Sequence, residues 1–123
     1  ERVGGDDAIR PAFAQTPTGL ADFGWPIFRL HQSLIALRRR HSWLHRARTR
    51  KVHLTNEQLV LTMAEGPERL HLALNLADEP GLLPVPDARL IEAGGGKLLV
   101  GDDKAAWVRL APHGWAILSA QVA

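Results

Sequence analysis

The chain has 123 residues, 46% of them apolar and 23% charged, with a formal net charge of +2. That length and composition fit one globular domain, and disorder is not the default reading. With no cysteine there is no disulfide framework and no cysteine-based zinc site. No run of about 18 uncharged apolar residues exists to form a membrane-spanning helix.

In chain order, Glu1 to Gly24 has the texture of a loop, punctuated by Gly4-Gly5-Asp6-Asp7, Pro11, Pro17 and Gly19. A helix is predicted from Pro26, which suits a first helical turn, to about His41 or Ser42. Its apolar stripe is Ile27, Leu30, His31, Leu34 and Leu37, at spacings of three and four. Arg38, Arg39 and Arg40 fall in the last turn, where cations favour the negative end of the helix dipole.

From Arg48 the period becomes two. Strands are predicted around Val52 and Leu54, then through Leu59, Leu61 and Met63, and then through Leu70, Leu72, Leu74 and Leu76. The four leucines at strict alternation are expected to face a core, with His71, Ala73 and Asn75 on the opposite side. Leu82 to Val85 and Ala88 to Ile91 are short and proline-flanked, as edge strands are. Lys97 to Val100, Ala105 to Leu110 and Trp115 to Ala120 complete the series. About seven or eight short strands with regular turns predict a mainly β fold, an antiparallel Greek-key-like sandwich preceded by a loop and one amphipathic helix.

The charge distribution is uneven. No acidic residue lies between Phe23 and Asn56, while Arg29, Arg38, Arg39, Arg40, Arg46, Arg48, Arg50 and Lys51 do. A solvated helix end followed by a charged edge strand accounts for this better than nucleic-acid binding, which wants groove-reading or stacking partners as well. His41 and His45 stand four apart, but a third ligand at metal-binding spacing is missing, so no metal and no cofactor is expected. Gly4-Gly5-Asp6-Asp7 and Gly101-Asp102-Asp103 lack the spaced oxygens of a calcium loop and read as turns.

The ordered set of segments resembles the end of alpha-amylase-family glycoside hydrolases. Leu30 to Leu44 is similar to the family's last barrel helix, which commonly carries a run of the form LIxLRRxHPxL; Ser42 stands at the usual proline position. Glu1-Arg2-Val3-Gly4-Gly5-Asp6-Asp7 and Arg10-Pro11-Ala12-Phe13 resemble the loop after the last barrel strand, with Arg2 in place of an acidic residue. Leu74-Asn75-Leu76-Ala77-Asp78-Glu79-Pro80 and Leu110 to Leu118 resemble segments of the family's C-terminal β-domain.

The resemblance implies residues 1–45 as a remnant of the catalytic barrel and residues 46–123 as a C-terminal β-sandwich. Family chemistry is glycoside hydrolysis or transfer by paired carboxylates. The resemblance places these on earlier barrel strands, ahead of Glu1, and none of Glu1, Asp6, Asp7 or Asp22 matches a catalytic motif. A start without methionine also reads as an excerpt. The absence of a secretory segment tilts an otherwise open compartment toward the cytoplasm.

The expected function is therefore a non-catalytic accessory domain of an enzyme acting on α-glucans or α-glucosides. Ile27, Leu30, Leu34, Leu37, Trp43 and Leu44 are the candidates for packing on the barrel. The alternative is a carbohydrate-binding module in which Trp25 or Trp107 stacks on α-glucan; Trp107 is out of phase with Ala106, Val108 and Leu110 and is expected to face outward. With its barrel partner missing, the helix stripe also predicts self-association.

Overall fold

The computed structural model describes residues 15–120. The loop resemblance at Glu1 to Phe13 lies outside the described residues. The chain divides into two compact units, Glu1–Ser33 and Leu34–Ala123. In the first, a 3-10 turn at Pro17–Gly19 precedes the start of helix α1 (Gly24–Arg40). Trp25 meets Phe28 edge-on at 5.5 Å between ring centroids, and the Arg29 guanidinium sits 5.9 Å from the Trp25 ring. No helix among the described residues is long and apolar enough to cross a membrane.

The second unit holds the last turns of α1, a 3-10 turn at Ser42–His45, and eight strands: β1 (Arg48–Leu54), β2 (Gln58–Glu65), β3 (Glu68–Asn75), β4 (Gly81–Pro84), β5 (Leu90–Gly94), β6 (Lys97–Val100), β7 (Ala106–Leu110) and β8 (Trp115–Ser119). All neighbouring strands pair antiparallel, in one five-stranded sheet of order β1-β2-β3-β8-β5 and one three-stranded sheet of order β4-β7-β6. This is the predicted antiparallel sandwich. The proline-flanked strands β4 and β5 do lie on sheet edges, where a missing N–H costs no ladder bond.

Local chemistry sets the corners. Glu65 pairs with Glu68 across the two-residue turn Gly66-Pro67, and Gly66 takes φ +55, the left-handed value a primed hairpin turn needs at its first central residue. The chain leaves the five-stranded sheet at Gly94, φ +81, where a Cβ would stand 2.3 Å from the Trp115 carbonyl oxygen. Only glycine fits there.

The core between the sheets corrects the sequence reading of β3. It is built from Val60, Ala73, Leu83, Val85, Ala88, Ala106, Val108, Leu110, Ala116 and Leu118. Ala73 pairs with Val60 on one side and Ala116 on the other, so the core-facing side of β3 is His71, Ala73 and Asn75, not the leucines. Leu70, Leu72 and Leu74 point to the other face of the five-stranded sheet, and Leu76, beyond the strand, is 63% exposed. The reason is steric and polar together. Small Ala73 and Ala116 leave room for Leu83, Val108 and Leu110 from the opposing sheet, as close packing requires. The two polar residues that share this side are fully bonded.

Asn75, 0% exposed, donates through Nδ2 to the carbonyls of Glu79 (2.9 Å) and Ala111 (3.1 Å) and accepts from the Ala77 N–H (3.2 Å). His71, 2% exposed, lies 2.7 Å from the Pro86 carbonyl through Nε2 and 2.7 Å from the Thr62 hydroxyl through Nδ1. A carbonyl can only accept, so Nε2 carries the proton and neutral Nδ1 accepts from Thr62.

Burial, the largest influence on His71, lowers its pKa below the ordinary 6.5, and the Pro86 bond and Asp87 oppose it only in part. A histidine whose folded pKa is depressed binds its proton more readily unfolded. Stability is then full above pH 6.5 and is lost as pH falls through the folded value. Urea unfolding between pH 7.5 and 5 should show this decline, and His71→Asn should flatten it; a slope unchanged in the variant would assign the decline elsewhere.

Candidate functional site

The leucines turned away from the core build the site. Cross-strand registers set three rows on the outer face of the five-stranded sheet. These are Met63, Leu70, Ser119 and Leu90; then Leu61, Leu72, Ile117 and Ala93; then Leu59, Leu74 and Trp115. In an ordinary sandwich that face is polar, because it meets water. On β2, β3, β8 and β5 it is apolar except at Ser119, while edge strand β1 adds Thr49 and Lys51 to the first two rows and Leu54 to the third. Most of its members are half-buried, and Leu70 is 1% exposed.

Within the second unit, the end of α1 and the turn after it close one margin of this face. Leu37 is 4% exposed, Leu34, Trp43 and Leu44 are half-buried, and the Ser42–His45 turn packs on β2. His41 Nε2 lies 2.7 Å from Glu92 Oε2, and the His41 ring meets Trp43 edge-on at 5.9 Å. Burial opposes ionisation of Glu92. Hydrogen bonds from His41 and Ser119, with the charges of His41 and Arg40, outweigh it and hold the carboxyl below its usual 4.5. The Glu92 contribution to stability is therefore complete above pH 4.5 and is lost as pH falls further.

The other sequence candidates are dispersed. Ile27 is 56% exposed, and Trp25 and Leu30 are half-buried in the first unit. Trp107 lies on the outer face of the three-stranded sheet, 38% exposed, between its cross-strand partners Pro84 and Leu99. His41 and His45 do not converge: the first bonds Glu92 and the second the Ser42 carbonyl. Among the described residues, no group of three or more metal-binding side chains is gathered.

The sequence reading did not gather Leu59, Leu61, Met63, Leu72, Leu74, Trp115 and Ile117 onto one outward-facing surface. One signal was available. On β2 and β3 the residues between the bulky apolar ones include Val60, Ala64 and Ala73, so apolar side chains stand on both faces of these strands.

Two stretches that carried the family resemblance meet in space. Asn75 bonds the Ala111 carbonyl, the Asn75 N–H bonds the Gly114 carbonyl at 2.9 Å, the His113 N–H bonds the Ala77 carbonyl at 3.2 Å, and His113 Nε2 lies 2.8 Å from Asp78 Oδ1. The turn after β3 is thus tied to the turn before β8.

No protein-family profile matches the chain. No curated protein matches it by sequence. Solved structures do share its fold. A MutB variant in complex with glucose superposes with a TM-score of 0.63 at 17% identity, over 77% of this chain and 18% of that one. A MutB variant in complex with the substrate sucrose gives 0.62 at 18% identity, over 76% and 17%. An alpha-amylase from H. orenii gives 0.56 at 12% identity, over 72% and 19%. The match thus spans under a fifth of the length of these proteins, and the β-sandwich described above is the fold it has in common with them.

Proposed function

We propose that this chain is a non-catalytic accessory domain of an alpha-amylase-family enzyme acting on α-glucans or α-glucosides, and that it braces the catalytic barrel. In this reading residues 1–45 belong to the barrel's last loop and helix, and residues 46–123 form the C-terminal sandwich. The carrying observation is the outer face of the five-stranded sheet, where inside edge strand β1 three successive rows are apolar but for Ser119, while a solvated sheet would be polar. The helix candidates Ile27, Leu30, Leu34, Leu37, Trp43 and Leu44 are proposed to pack on the same partner. The fold held in common with segments of much longer proteins supports the reading, since it gives the face something to cover it.

Deleting residues 46–123 from the longer enzyme should lower its melting temperature by several degrees and its yield of soluble protein. Unchanged melting and activity would overturn the bracing role.

A second reading rests on Trp107, whose ring is partly open on the far sheet between Pro84 and Leu99. There it could stack on a sugar face. Titration with maltooligosaccharide decides between the two: saturable NMR shifts confined to Trp107 and its neighbours would promote the binding-module reading, and none at millimolar sugar would dismiss it.

A further inference from the structure

A second cluster lies at the opposite side of the same sheet, beside the β2–β3 hairpin. Registers put Arg48, Ala64 and Arg69 in one cross-strand row and Arg50, Thr62 and His71 in the next. All six belong to the side of the sheet that carries Val60 and Ala73. The three-stranded sheet covers that side near Gln58 and Asn75, where a Cβ on Gly81 would stand 2.6 Å from Gln58 Nε2. Cover reaches as far as His71, which the Pro86 carbonyl meets. At the next row, Arg48, Arg50, Thr62, Ala64, Glu65 and Arg69 line a cavity of about 410 Å³.

The charges in this hollow do not balance. Its one carboxylate, Glu65, lies 3.4 Å from Arg46 Nε. Among the described residues, no carboxylate oxygen comes within 4.0 Å of the guanidinium nitrogens of Arg48, Arg50 or Arg69. Ala64, between Arg48 and Arg69 in its row, brings only a methyl group and leaves the space between the two arms open. Guanidinium forks match the oxygens of carboxylates and phosphates. A monocarboxylate brings one charge and two oxygens, enough for one fork. A phosphate dianion brings two charges and oxygens for several forks at once, which is what three converging arginines can use.

We propose that this hollow binds a phosphate dianion, held by Arg48, Arg50 and Arg69, as free phosphate or as the monoester group of a sugar. Occupancy has an internal reporter. Burial is the main influence holding the His71 pKa down, and the nearby Arg69 charge adds to it. An anion on Arg69 offsets that charge and moves the His71 titration upward.

The test is an NMR titration of the whole chain at pH 7.5 and constant ionic strength, with inorganic phosphate, glucose 6-phosphate and, as neutral control, glucose. Saturable amide shifts at Thr62, Ala64 and Gly66 are expected with an affinity of about 1 mM, and a pH titration run with and without saturating phosphate should show the upward move of His71. Arg50→Gln and Arg69→Gln should each weaken binding about 5- to 10-fold. Both sites are exposed, so the variants should keep the wild-type circular dichroism. Tighter binding of the ester identifies a sugar phosphate and equal binding identifies free phosphate; either result supports the site. Shifts that do not saturate, that fall equally on Arg38, Arg39 and Arg40, or that survive unchanged in both variants overturn it.

Discussion

Replacing Asn75 with leucine, which has the same number of heavy atoms and the same branch point but greater bulk, is expected to destabilise the domain by about 3 kcal/mol. The carboxamide is fully buried and serves three backbone groups at once: the carbonyls of Glu79 and Ala111 and the N–H of Ala77. Leucine keeps the branched shape, crowds a fully buried site and leaves all three without a partner. Each stranded group costs about 1–3 kcal/mol, and partial relaxation toward water near the turns holds the sum toward the low end. Asn75→Asp is expected to do no better, because it retains the acceptor for Ala77 but sets a carboxylate oxygen against two carbonyls. Urea unfolding at pH 7.5 measures both. A leucine variant within 1 kcal/mol of wild type would mean that these bonds are replaced by water at little cost.

The second large effect tests the direction of β3. Leu118→Ala, at a core position with 0% exposure, should cost about 3 kcal/mol, from lost transfer energy plus the cavity left behind. Leu72→Ala, at a half-buried position on the outer face, should cost about 1 kcal/mol in the isolated chain. Within the proposed longer enzyme the Leu72 cost should rise, because a docked barrel would complete its burial. Equal costs in the isolated chain would contradict the assignment of inner and outer faces.

That assignment shows what was legible in the sequence. Strand positions and turns were readable to within a residue or two over most of the chain, because alternation and Gly/Pro punctuation are local signals. Lys97–Val100 stands where it was predicted. The outward direction of Trp107 was readable too, since Ala106, Val108 and Leu110 are the buried alternates of its strand.

The core side of β3 was misread. Leucine is more apolar than histidine, alanine or asparagine, so residue-by-residue hydrophobicity pointed the wrong way. Which side meets the second sheet was decided instead by the room that Ala73 and Ala116 leave, and by partners for His71 and Asn75 up to 36 residues distant. Those are long-range facts that no local window contains. The arginine hollow escaped notice for a similar reason. Arg48 and Arg50 are read along β1 as a charged edge, and only pairing through β2 brings Arg69 to them.

The strand order carries a consequence for how the domain is made. β1, β2 and β3 form a meander of sequence neighbours, closed by short turns, and can assemble as soon as they leave the ribosome. β8 is the last strand in chain order, yet it lies inside the sheet, with β3 on one side and β5 on the other. Until it arrives, the edge of β3 stays open to any passing strand, and β5 has no neighbour in its own sheet. The early-formed half of the sheet must therefore wait, its leucine face uncovered, until β8 has been made. In such a chain the nascent meander, more than the finished sandwich, is the species in need of a chaperone.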